Sequence, residues 1–221
     1  MGVDIFDFWA EIGVADTIHP ADSNVMARAD HGFDLNCLPA AFSGPLRRAS
    51  IVLLYLSFGF DETDHKEAQS EEGRARYARM RRGNEPLCGP EEHAGGYRWL
   101  LERTRAFGAW EQVRNKIAVW TIGAYHSRTF GDPGLLAALP SSRVSLDWAQ
   151  SILFPQAEAG ERAVICLRAA KFWGLTPGRK YGRALYAPTV TRSGHMLRAD
   201  PMREDAIAVG RALIGGESIS R

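Results

Sequence analysis

Four polar clusters directly follow apolar runs, and they hold the residues with which this chain could do chemistry. Ser57-Phe58-Gly59-Phe60-Asp61-Glu62-Thr63-Asp64 follows the first run. Its two aromatic rings could face a planar ligand, Gly59 permits close backbone approach, and Asp61 or Asp64 could orient a water. The structural alternative is a turn whose phenylalanines complete the core. Gly123-Ala124-Tyr125-His126-Ser127-Arg128 follows the second run. His126 could donate to a developing anion or carry a proton, or it could simply fix the loop. Arg168-Ala169-Ala170-Lys171-Phe172-Trp173-Gly174 follows the third. A helix starting there would offer free N–H groups to a phosphate, with Arg168 or Lys171 beside it. The alternative pairs Arg168 with an internal carboxylate and packs Trp173 in the core. Thr189-Val190-Thr191-Arg192-Ser193-Gly194-His195 comes last. A hydroxyl- and glycine-rich loop holding one arginine and one histidine suits a phosphodiester or a solvated turn.

Such clusters act together only if the elements before them end together. "SIVLLYLS" (50–57), "KIAVWTIG" (116–123) and "RAVICLR" (162–168) are continuous apolar runs rich in β-formers. That pattern fits strands covered on both faces, as in a parallel sheet. "RALYAP" (183–188) is a shorter fourth candidate, ended by Pro188. Helical spacing fills the intervals. "YRWLLERTRAFGAWEQV" precedes the second run and "SSRVSLDWAQSILF" the third, with a plausible serine cap and Pro155 near its end; "KFWGL" could open a short helix. "DPMREDAIAVGRALIGG" has Asp200 as a cap, Pro201 in the first turn and glycines at its exit, and is the clearest helix. "DIFDFWAEIG" reads as an amphipathic helix, and residues 13–49, with Pro20, Pro39 and Pro45, as a loop. "RARYARMRR" (74–82) could line a nucleic-acid backbone, but the acids of "DETDHKEAQSEE" before it favour a solvated, ion-paired helix. Strands alternating with helices predict a doubly wound α/β domain over residues 1–221, entered through an N-terminal helix and loop (1–49). Open parallel sheets bind ligands beyond the carboxyl ends of their strands, where these clusters lie.

Composition narrows the classes. With 45% hydrophobic and 24% charged residues the chain is globular rather than disordered. Its formal net charge of +1 gives no general drive toward nucleic acid. No apolar run approaches the ~18 residues of a membrane span, and the acidic start "MGVDIFDFWAEIG" does not read as a signal peptide. Cys37, Cys88 and Cys166 form no CxxC pair and suit reduced thiols in the cytoplasm. The six histidines lack linear metal-ligand spacing, so neither a metal nor another cofactor is expected. Phosphate-loop, dinucleotide, GxSxG and HExxH signatures are absent.

Taken in order, "FSGPLRRASIVLLYLSFGFDETD", "IAVWTIGAYHSRTF", "ERAVICLRAAKFWGL" and "APTVTRSGHML" resemble a divergent branch of the uracil-DNA glycosylase superfamily, over roughly residues 42–198. The resemblance implies a three-layer α/β/α sandwich around a short, mainly parallel four-stranded sheet. It also implies metal-independent hydrolysis of the N-glycosidic bond of a nucleobase flipped from DNA, as in DNA repair, with DNA or a nucleoside as partner. The family's Asn-Pro-Gly or Asp-Pro-Tyr loop falls on Ser57-Phe58-Gly59, where only Gly59 matches. Its His-Pro-Ser-Pro closing loop falls on Thr191-Arg192-Ser193-Gly194-His195, without either proline. By resemblance, Ser57 and Asp61 would hold the water, His126 the departing base, and Phe60 the face of that base. Phe58, Gly59, Tyr125, Ser127, Arg168, Arg192, Ser193 and His195 would complete the substrate surface. The departures raise the alternative of an inactive nucleobase-, nucleic-acid- or protein-binding module on the same fold.

Overall fold

A computed structural model describes residues 3–128 and 133–217. Its strands are β1 (Phe42–Ser43), β2 (Ile51–Ser57), β3 (Ile117–Gly123), β4 (Ala163–Cys166), β5 (Arg179–Tyr181) and β6 (Leu185–Ala187). They form one sheet in the order β1-β3-β2-β4-β6-β5. The four expected strands are its middle: β3, β2, β4 and β6 run parallel. The sheet nevertheless has six strands rather than four, because β1 pairs antiparallel with β3 and β5 antiparallel with β6. These additions are two and three residues long, too short to leave a periodic signal in the sequence.

The helices are α1 (Ile5–Ala10), α2 (Ser23–Met26), α3 (Glu62–Gln69), α4 (Glu71–Met80), α5 (Ala94–Thr104), α6 (Trp110–Val113), α7 (Pro133–Ala138), α8 (Pro140–Trp148), α9 (Phe154–Ala159) and α10 (Met202–Gly215). Among the described residues no helix is long and apolar enough to cross a membrane. The stretch read as one helix before β3 is two, α5 and α6, separated around Gly108. Pro155 lies inside a longer helical stretch. Residues Ala149–Leu153 widen into a π-helical turn, and the chain continues as α9 with Pro155 in its first turn. A proline ring clashes with the carbonyl four residues before it, and a π turn relieves that clash. The chain directly after β4 forms no helix before β5. Ala169 sits in the left-handed region at φ 61°, which turns the chain away at the position where the phosphate reading needed a helix N-terminus.

Alternate residues of the parallel strands feed two separate cores, which explains why those strands read as unbroken apolar runs. Val52, Leu54, Trp120 and Val164 pack with Trp9 of α1, Trp148 of α8 and Phe154 of α9. Ile51, Leu53, Val119 and Ile165 pack on the opposite side with Leu100 of α5, Val113 of α6 and Ile207 of α10. The register Ile51↔Ile117 through Ser57↔Gly123 makes β2 and β3 finish level, so their trailing loops emerge side by side.

A candidate binding cavity at the strand ends

Beyond the carboxyl ends of β2 and β3 lies a cavity of about 370 Å³, in the range of about 300–1,000 Å³ usual for small-molecule sites. One wall is aromatic: Tyr55, Phe58, Phe60 and Trp99. The polar wall carries Asp64, His93, His126 and Tyr77. Arg168 and Ser193 reach it from the far loops. The closing loop is held by protein contacts, since Arg103 donates to the Ser193 carbonyl (2.8 Å) and the Tyr55 hydroxyl to that of Gly194 (3.3 Å).

At the centre of the polar wall Asp64, 5% exposed, bridges two imidazoles. His93 Nε2 lies 3.2 Å from Asp64 Oδ1, and His126 Nδ1 lies 3.3 Å from Oδ2. The hydrogen-bond partners assign the tautomers. His93 Nδ1 accepts from the Gly96 N–H (2.9 Å), capping α5, so its proton is on Nε2 and is given to Asp64. His126 Nδ1 lies 2.7 Å from the Gly59 carbonyl as well as near Asp64, so it is the protonated nitrogen. Nε2 of His126 is thereby left for other chemistry, 3.5 Å from the Tyr77 hydroxyl. Burial alone would raise the pKa of Asp64. The hydrogen bonds from His126 and His93, the charge of His126 and the Asp61 N–H (2.7 Å) outweigh it and hold the carboxyl well below the ordinary range. Burial likewise pushes the Tyr77 phenol well above its usual value, so it stays neutral.

Local sequence explains how this acid is placed. Asp61 caps α3, accepting from the Thr63 N–H (2.9 Å), and Asp64 returns the favour by accepting from the Asp61 N–H. This capping box starts α3 three residues after Gly59 and aims Asp64 inward on its first turn. Asp61 is thus a capping residue on an exposed surface of the cavity mouth. Asp61→Ala is expected to destabilise the fold by about 1 kcal/mol in urea denaturation.

Of the residues picked from sequence, Ser57, Phe58, Gly59, Phe60, Asp61, His126, Arg168 and Ser193 all line the cavity. Phe58 stacks near His126 (centroids 6.0 Å apart), and Phe60 lies between His65 and the guanidinium of Arg128. Arg168 is exposed rather than paired inside, and Trp173 is buried with its indole N–H donated to the Tyr55 carbonyl (3.1 Å). The cavity does not include Tyr125, Ser127, Arg192 or His195. Tyr125, two residues past the end of β3, is buried and donates to Asp22 (2.6 Å). Ser127 is buried, Arg192 is exposed, and the His195 N–H donates to the Thr191 hydroxyl (3.1 Å) within its own turn. His93 and Tyr77 went unnoticed as site residues. Only the pairing of "RARYARMRR" with the preceding acids was legible, and Arg76 does pair with Glu67.

Two groups among the described residues bring three metal-binding side chains together: Asp64, Glu67 and His93, and Asp34, Cys37 and His65. The first fits a cation poorly. His93 Nδ1 accepts from Gly96, so a metal on Nε2 would require either an imidazolate or loss of the α5 cap. Comparison of the chain with family models, curated proteins and solved structures gives no significant match.

Proposed function

We propose that the cavity takes a planar nucleobase, in DNA or in a nucleoside, and that the protein hydrolyses its N-glycosidic bond. The observation that carries this reading is His126, fixed through Nδ1 by the Gly59 carbonyl and Asp64, with Nε2 left for an aromatic-walled cavity. The resemblance to uracil-DNA glycosylases and the helices packed on both faces of the sheet, a three-layer arrangement, agree with it.

In this mechanism the base lies against Phe58 and Phe60. As the C–N bond breaks, its electron pair stays with the base, and a water placed by the Ser57 hydroxyl adds to the sugar carbon. His126 Nε2 takes the proton that the water sheds and passes it to the base nitrogen. Asp64 stabilises the imidazolium while it carries that proton and holds the ring in place. Asp64 thus takes the role of anion in the site, while Asp61 supports it through the cap. Arg168 supplies a phosphate contact at the mouth.

A second reading, binding without turnover, is favoured by one feature: Asp61 is engaged by the Thr63 N–H, leaving Ser57 without a carboxylate base for the water. The test is incubation with labelled single- and double-stranded DNA carrying uracil or other altered bases, followed by hot alkali. Strand cleavage that disappears in His126→Ala supports hydrolysis. Saturable base or DNA binding without cleavage supports the second reading, and neither signal refutes both.

A further inference from the structure

We propose that Asp34, Cys37 and His65 bind a divalent cation of the zinc class beside the cavity, a role independent of any base chemistry. One donor atom from each lies within 4.8 Å of the others. Thiolate, imidazole and carboxylate together are the donors zinc prefers over magnesium or calcium, which favour oxygen-only sets.

Three details distinguish this group from a chance cluster. Cys37 is 2% exposed, yet its Sγ has no hydrogen-bond partner among the described residues. His65 has the tautomeric freedom that His93 lacks. Its Nε2 faces Asp34 Oδ2 at 2.8 Å, while Nδ1 has no partner among the described residues and can carry the proton that a metal-bound imidazole keeps. Asp34 is oriented from behind, as Oδ1 accepts from the Asn36 N–H (3.0 Å) and side-chain amide (3.1 Å). His65 and Asp34 are only half-buried, so a cation has an entry path and a water can fill the fourth position.

Binding is a simple exchange. The cation takes the place of the proton between His65 Nε2 and Asp34 Oδ2, and Cys37 gives its S–H proton to solvent as the sulfur–metal bond forms. The bound ion would tie α3, which carries His65, to the turn at residues 34–37. The Asp34 N–H of that turn donates to the His126 carbonyl (2.8 Å), so the clip would brace the loop that presents His126.

The test uses cobalt(II) as a spectroscopic stand-in for zinc, added to the full chain after chelator treatment. The expected result is about one bound cobalt per chain with a near-ultraviolet thiolate-to-cobalt band. That band should vanish in Cys37→Ser, weaken in His65→Ala, and persist in Cys88→Ser and Glu67→Gln. Far-ultraviolet circular dichroism identifies variants that have merely unfolded, and Asp34→Asn gives a milder second probe. Absence of stoichiometric cobalt binding overturns the proposal. So does a band that survives Cys37→Ser and is lost in Cys88→Ser, which would place the ion near His93. Because the readout is metal binding, it stands or falls separately from hydrolysis.

Discussion

His126→Ala is expected to lower base release by about a hundredfold or more, the usual loss when a positioned proton donor is removed. The expectation rests on two contacts that no other residue duplicates. The Gly59 carbonyl and Asp64 both hold Nδ1, which fixes which nitrogen meets the substrate. Removing the ring also removes the surface against which Phe58 is stacked, so binding should weaken with turnover. His126→Gln separates the two effects. Its amide can replace a donor but cannot transfer a proton, so binding should largely return while turnover does not. An unchanged single-turnover rate in folded His126→Ala would remove this histidine from the mechanism.

Asp64→Ala is expected to cost about 3 kcal/mol of stability at neutral pH, the scale for removing one partner from a buried, hydrogen-bonded charge network. The carboxyl serves His93, His126 and the Asp61 N–H at once. Its loss would leave each of these donors facing an empty space. The pH dependence follows from its depressed pKa. Its contribution is complete above the unfolded-state value near about 4 and is lost as pH falls from there toward the folded value. The gap between wild type and Asp64→Ala in urea denaturation should therefore persist from pH 7 down to about 4 and narrow as pH falls further. A gap that stays constant would show that Asp64 acts through packing rather than charge.

The parallel strands were legible because each is buried on both faces, so burial writes an unbroken apolar run into the sequence. Ser57, Phe58 and His126 were legible for the same reason, as polar or aromatic residues at or just past the ends of those runs. Asp64 was visible as one of two candidate acids, but the capping box decides which acid turns inward, and that depends on where α3 begins. His93 was not legible. Its ring reaches Asp64 across 29 positions of chain, and locally it is only a cap before Ala94-Gly95-Gly96. Tyr77 lay in a stretch so rich in arginine that its solvated face concealed its buried one. The same limit applies to Asp34, Cys37 and His65. They share no spacing motif, and only the packing of α3 against the turn at 34–37 brings them together.

The short antiparallel strands at both margins of the sheet also govern how copies of this molecule meet one another. A long, flat parallel edge would display a row of free N–H and C=O groups to any neighbour's strand. Here one margin is two residues long and passes at once into Gly44-Pro45, and the other carries Arg179 and Lys180 in solvent. Neither offers a second chain enough register to add a strand, so crowding at high concentration should not convert this sheet into a growing ribbon.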